Sequence, residues 1–308
     1  MVEDESEKEG KISMPRLKAK TPNAKAARLR EGFMGVVFLL CSCTTILAVL
    51  LICVFLFANG LPAMGKIGVL NFLTGTEWRP GNDIYGILPM ILASLYVTAG
   101  AIVVGVPLGL LTAIFLARFC PAPLYKVLKP ITDLLAGIPS VVYGFFGLMV
   151  IVPTIRSIWG GSGASMLAAC LVLGIMILPT IISVSESALR SVPEEYYEGS
   201  LALGATHGRS VFRVILPAAR SGVLAALILG VGRAVGETMA VIMVAGNQAV
   251  MPSGLLQGLR TLTANIVMEI GYAADLHREA LIATAVVLFV FILLINLCFS
   301  AVKRRNKQ

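Results

Sequence analysis

Arg233, Glu237 and Thr238 stand where polar side chains are costly, inside the apolar stretch Gly230-Val-Gly232-Arg233-Ala-Val-Gly236-Glu237-Thr238-Met239. A central Arg costs roughly 2.5–3.5 kcal/mol on insertion scales, and a second charge adds a similar term. Such groups face a cavity or a partner rather than lipid. On a continuous helix Arg233 and Glu237, four residues apart, share a face and can pair. Gly232 and Gly236 have the spacing that brings membrane helices close. Two uses fit these residues. One is a structural ion pair joining helices. The other is an anion pathway, in which Arg233 offers forked donors to an oxyanion and Glu237 holds the arginine or is displaced. Thr238 adds a hydroxyl.

A second constellation fills residues 185–220. Ser191-Val192-Pro193-Glu194 reads as a capping box, with Ser191 at the N-cap and Pro193 in the first turn. Gly204 suits a helix C-terminus. Thr206 can cap a second short helix, which is expected to stop before Pro217. The pattern predicts two short helices with a glycine joint, lying on the membrane surface. A third feature, Gly137 with Pro139 and Ser140, can loosen a helix where a gate would flex, or simply kink it for packing.

Other candidates fall away. Gly60-Leu-Pro-Ala-Met-Gly65-Lys66-Ile67 resembles a phosphate loop but lacks the Ser/Thr for magnesium and follows an apolar span, not a strand. No His or second Cys stands at metal-ligand spacing to any of the six cysteines, so no metal site is expected. These cysteines read as small thiols within the membrane. His207 and His277 are read as lone histidines, and neither receives a role.

These residues need a membrane to hold them. Of 308 residues, 57% are hydrophobic and 14% charged, with a mean hydropathy of +0.88. Soluble enzymes, disordered chains and disulfide scaffolds are excluded. Six segments have the roughly 20 apolar residues of a spanning helix: 33–58, 87–117, 131–154, 164–184, 221–246 and 280–302. The first is too long for a signal-peptide core. Residues 1–32 form an acidic-then-basic tail, 59–86 an external loop, 87–302 the core, and 303–308 a basic C-terminus. A second external loop spans about 247–279. With both termini cytoplasmic, nineteen of the 25 Lys and Arg fall inside. Five lie outside (Lys66, Arg79, Arg156, Arg260 and Arg278), and Arg233 remains in the membrane. The net charge of +8 is therefore mainly topological, and nucleic acid is not an expected partner.

Glu198-Gly199-Ser200, three residues, Gly204, nine residues, Val214-Ile215-Leu216-Pro217 resembles the "EAA" loop of ABC-importer permeases. Gly199 and Ser200 replace two alanines, and Val214 an isoleucine. The stretch 232–240 and Ala136-Gly137-Ile138-Pro139-Ser140-Val-Val-Tyr143-Gly144-Phe-Phe-Gly147 are similar to motifs of phosphate-specific permeases. Phe72-Leu-Thr-Gly-Thr-Glu77-Trp78 resembles the PstC type rather than the PstA type. The match runs from about residue 33 onward.

The resemblance implies an all-α, six-span type I permease in the inner membrane, importing inorganic phosphate. It also implies a related PstA-type permease, a homodimeric PstB-type ATPase that binds ATP and Mg, and an external PstS-type phosphate-binding protein. The 185–220 loop would dock the ATPase, with Glu198, Gly199, Ser200, Gly204, Val214, Leu216 and Pro217 as its motif. The family's intramembrane Arg and Glu map onto Arg233 and Glu237. No catalytic residue and no cofactor are expected in this chain. Sulfate, molybdate or tungstate remain alternative cargoes. Further alternatives are an ion-coupled carrier with Glu237 as its proton site, and a membrane relay that only senses phosphate.

Overall fold

Helices dominate, as a chain that must satisfy its backbone without water requires. The computed structural model describes the backbone of residues 24–305 and the side chains of 31–298 and 301. The acidic start, the basic tail and the C-terminal Lys303, Arg304, Arg305 and Lys307 side chains lie outside this range, so the charge-based topology rests on sequence.

In chain order the elements are α1 (Ala24–Ile67), α2 (Val69–Thr74), β1 (Trp78–Arg79), β2 (Ile84–Tyr85) and α3 (Leu88–Ile114). Then come α4 (Ala122–Ala136), α5 (Ser140–Phe146), α6 (Val152–Trp159), α7 (Met166–Arg190), α8 (Glu194–Ala202) and α9 (His207–Ser210). The chain finishes with α10 (Leu216–Ala218), α11 (Arg220–Gly236), α12 (Met239–Val244), α13 (Leu262–Glu269) and α14 (Asp275–Arg305). One-turn π-helices over 115–119, 147–151 and 211–215 extend α3, join α5 to α6, and join α9 to α10. The described residues divide into two units after Val54.

Among the described residues, five helical segments are long and apolar enough to span, or six when the pair α9–α10 and α11, bent by 70°, is one span. α7 is the central one, with 61% of its apolar window buried. It packs along α3 because small residues let the backbones approach. A Cβ on Gly100 would collide with the Cys170 sulfur, and one on Gly109 would stand 2.8 Å from Ile181. All six cysteines are free, and only Cys170 is buried in the protein.

Several boundaries differ from those read in sequence. α1 continues through Pro62 to Ile67, so the loop expected from residue 59 starts later, and the phosphate-loop lookalike is plain helix. The third segment is not one helix from 131. α4 ends at Ala136, and α5 starts only after Pro139. Proline restricts the residue before it and donates no N–H, which separates the two helices. The fifth segment is also broken: α11 stops at Gly236, Glu237 is extended, and α12 follows. The loops expected at 59–86 and about 247–279 each hold a helix, α2 and α13. Their side chains share one core in which Phe72, Trp78, Tyr85, Leu262 and Leu281 are buried.

Candidate functional site

The break between α11 and α12 corrects the expected Arg233–Glu237 pairing. An i, i+4 contact needs continuous helix, and Glu237 lies beyond the end of α11 with φ −72° and ψ 132°. Its Oε1 accepts the Ala240 N–H at 3.1 Å, an orphan donor of α12. Its carbonyl accepts from Thr263 Oγ1 of α13 at 3.1 Å. Neighbouring side chains thus repair the broken backbone, as intramembrane breaks require.

Arg233 turns to α7 instead, where Nη1 donates to Thr180 Oγ1 at 3.3 Å. Among the described residues that is its one hydrogen-bond partner, so most of the guanidinium donors stay available. Thr238 donates to the Gly236 carbonyl at 3.4 Å. Among the described residues of this chain, Gly232 and Gly236 bring no helix close, since a Cβ on either meets nothing within 4 Å. The close approach is at Gly144 of α5, where a Cβ would stand 2.8 Å from Ala240. Thr180 and Thr263 carry no signal in the sequence, because the groups they meet lie 53 and 26 residues away.

The 185–220 loop folds as two short helices with a glycine joint. Gly204 has φ +82°, its N–H bonds the Leu201 carbonyl at 2.8 Å, and the Ala205 N–H bonds the Ser200 carbonyl at 3.1 Å. This is a Schellman ending, which needs a residue free to adopt positive φ. Thr206 caps α9 by accepting the Arg209 N–H. The capping box is not formed. Ser191 ends α7 and bonds the Ala188 carbonyl at 2.8 Å, while Glu194 pairs with Arg118 at 2.9 Å. Nor does the second helix stop before Pro217. The π-turn over 211–215 precedes the proline, α10 includes it, and the chain bends after it. Wider turns of this kind accommodate irregular helix.

Glu198, Gly199 and Ser200 lie in the second half of α8, Val214 in the π-turn, and Leu216 and Pro217 in α10. Val211 and Ile215 pack under Leu189, Ala113 and Ile114. The joint projects Leu203, which is 92% exposed. Sequence reasoning missed Leu203 because the family pattern is spelled by the residues around it. His207 Nδ1 lies 2.7 Å from the Tyr197 hydroxyl, fixing α9 against α8. Gly137, Pro139 and Ser140 form the α4–α5 break, which the Tyr143 hydroxyl bridges by donating to the Leu135 carbonyl at 2.7 Å.

At the end of α7, Glu186 is 2% exposed and meets Tyr125, Lys129 and Arg190. The hydrogen bond to Glu186, aided by burial, raises the Tyr125 hydroxyl above its ordinary value. Burial works against the Lys129 charge, but its bonds to Asp133 and Glu186 outweigh that and hold the ammonium above the usual lysine value.

At the opposite end of α3, Glu269 Oε2 takes Trp78 Nε1 and His277 Nε2, each at 2.8 Å, and Oε1 takes Arg260. His277, unassigned from sequence, therefore has a carboxylate partner that local spacing did not reveal. Breaking a buried charge cluster by removing one member typically costs about 3–5 kcal/mol. Glu269→Ala is expected to lower the unfolding temperature of the purified protein clearly, and Lys66→Ala, which loses only an exposed pair to Glu279, barely.

Residues 105–308 match the family described as the binding-protein-dependent transport system inner membrane component. The chain is 41% identical over 267 residues to the probable ABC transporter permease protein YqgH of Bacillus subtilis, covering 83% of this chain and 86% of that one. It is 34% identical over 261 residues to the phosphate transport system permease protein PstC of Mesorhizobium japonicum, covering 78% and 80%. PstC 1 of Mycobacterium tuberculosis is 34% identical over 286 residues, covering 79% and 85%. Among solved structures, a bacterial importer of the acidic polysaccharide alginate has a TM-score of 0.63 at 15% identity, covering 90% of this chain and 99% of that one. The MetNI methionine ABC transporter gives 0.54 at 24%, covering 72% and 95%. At these identities the likeness concerns the fold.

Proposed function

Because the chain belongs to the binding-protein-dependent transport system inner membrane components, we propose that it is a PstC-type subunit through which inorganic phosphate is imported. It is a multi-pass inner-membrane permease of an ABC importer, and a separate ATPase subunit and a binding protein are its partners. Membership in that family sets aside the carrier that works alone on an ion gradient. The finer reading gives it a PstA-type sibling, a PstB-type ATPase pair holding ATP and Mg, and a PstS-type protein outside. Both termini are cytoplasmic, which puts the Gly204 joint on the ATPase side.

The observation that carries the anion reading is the bond between Arg233 and Thr180, which leaves most guanidinium donors free beside a broken helix. An oxyanion accepts several such charge-assisted bonds. Glu237 sharpens the choice. One carboxylate oxygen is engaged by Ala240, and the other has no hydrogen-bond partner among the described residues. Phosphate carries an O–H at neutral pH and can donate to that oxygen, whereas sulfate carries none and is repelled. The PstC relatives at 34% identity favour the same cargo.

The test is ATP hydrolysis by the complete complex in vesicles, with the binding protein loaded in turn with phosphate, sulfate or molybdate. Stimulation by phosphate above the other two is expected. Equal stimulation by sulfate or molybdate would overturn the phosphate assignment.

A further inference from the structure

We propose that Glu186 is a positioning residue that carries movement of the coupling helix α8 to the helix break at the start of the third span. The inference needs only an ATP-driven permease and is independent of the anion carried.

The first link is at α8. Glu194, in its first turn, accepts from Arg118 Nη1 at 2.9 Å, and Arg118 Nη2 donates to the Leu189 carbonyl of α7 at 3.2 Å. α8 is thereby tied to the ends of α3 and α7. The second link is Arg190. Its Nη2 donates to the Leu116 carbonyl at 2.7 Å, and its Nε donates to Glu186 Oε1 at 2.9 Å. The third link leaves this rigid group for α4. Tyr125 donates its hydroxyl to Glu186 Oε1 at 2.7 Å, Lys129 Nζ lies 3.1 Å from Oε2, and the Arg190 guanidinium stacks 4.3 Å above the Tyr125 ring.

Every side-chain hydrogen bond between α4 and α7 among the described residues is made by Glu186. α4 has no fully buried residue, and Leu124, Val127, Ile131 and Leu134 are all exposed. It is therefore attached by charge rather than by a packed apolar face. Its far end is the Gly137–Pro139 break that leads into α5. A rod pinned at one cluster follows the helix that carries the pin, and a break lets the next segment change angle. Without the Glu186 charge, Lys129 and Arg190 would repel one another, and α4 would no longer follow.

The experiment uses the assembled complex with its ATPase. Nitroxides are attached through Val127→Cys on α4 and Val150→Cys beyond the break, in a background without the native cysteines. Trapping with ATP and vanadate is expected to change their distance in the parent, and Glu186→Gln is expected to abolish the change. Vanadate trapping itself should persist, with ATP hydrolysis within about twofold of the parent. Phosphate moved per ATP should fall about tenfold or more, since a charge-assisted bond exceeds the free energy of a tenfold change. Glu186→Asp should recover part of it. An unchanged distance in the parent overturns the proposal. So does a Glu186→Gln complex in which the distance change survives, or in which uptake and hydrolysis fall in proportion. If Glu186→Gln fails to assemble, Lys129→Gln decides. Partial loss of the distance change supports the link, and parental behaviour overturns it. Because the distance needs no transported anion, a wrong phosphate assignment would leave this result intact.

Discussion

Arg233→Gln abolishes phosphate uptake while the complex still assembles and still traps ATP. Each hydrogen bond to a charged group contributes about 1.5–3 kcal/mol. Removing a guanidinium that offers an oxyanion two such bonds therefore costs on the order of a hundredfold or more in transport. Assembly is spared because the substitution removes a single hydrogen bond within the chain, the one to Thr180 at 3.3 Å. Arg233→Lys keeps the charge but not the planar fork, so it should recover only part of the uptake. The measurement is labelled phosphate entering cells or vesicles, read beside the amount of assembled complex. Normal uptake with glutamine at this position would end the anion-pathway reading.

Leu203→Asp uncouples the permease from its ATPase. Leu203 is 92% exposed at the joint between α8 and α9, so the substitution leaves the fold of this chain intact. An apolar side chain projected from a rigid turn is the kind of residue that fills a partner's groove. Removing such an anchor costs about 2 kcal/mol or more, and burying a charge in its place adds to that. Co-purification of the ATPase with the permease should fall on the order of a hundredfold, with uptake following it. Gly204→Val is the informative comparison. A Cβ there meets nothing, but φ of +82° is strained for a β-branched residue. It therefore disturbs the joint rather than the docking side chain and should weaken ATPase binding less. A Leu203→Asp permease that retains its ATPase would locate the docking surface elsewhere on the loop.

Composition alone required a membrane protein. Apolar length found the spans, since burying a helix in lipid needs about 20 consecutive apolar residues wherever they lie. The glycine joint was legible because Gly204 and the Thr206 cap act through bonds a few residues away. The intramembrane charges were legible as functional candidates because their cost in lipid is local and large. What failed were inferences that assumed unbroken helix. The spacing of Arg233 and Glu237 pairs them only on a continuous helix, which the extended backbone at Glu237 interrupts. Gly232 and Gly236 fit a packing motif yet meet no helix of this chain, and Ser191 fits a capping box yet closes the preceding helix.

Sequence by itself thus determined that this chain lies in a membrane, how many apolar segments it has, and which loop and which charged residues are the candidates for function. Each of those depends on local composition or on contacts within about one helical turn. Only the tertiary structure decided that Arg233 meets Thr180, that Thr263 repairs the broken fifth span, and that Glu186 and Glu269 each gather partners from several elements. Those contacts join residues far apart in the chain. They arise because a buried polar group must find a partner wherever packing brings one within reach.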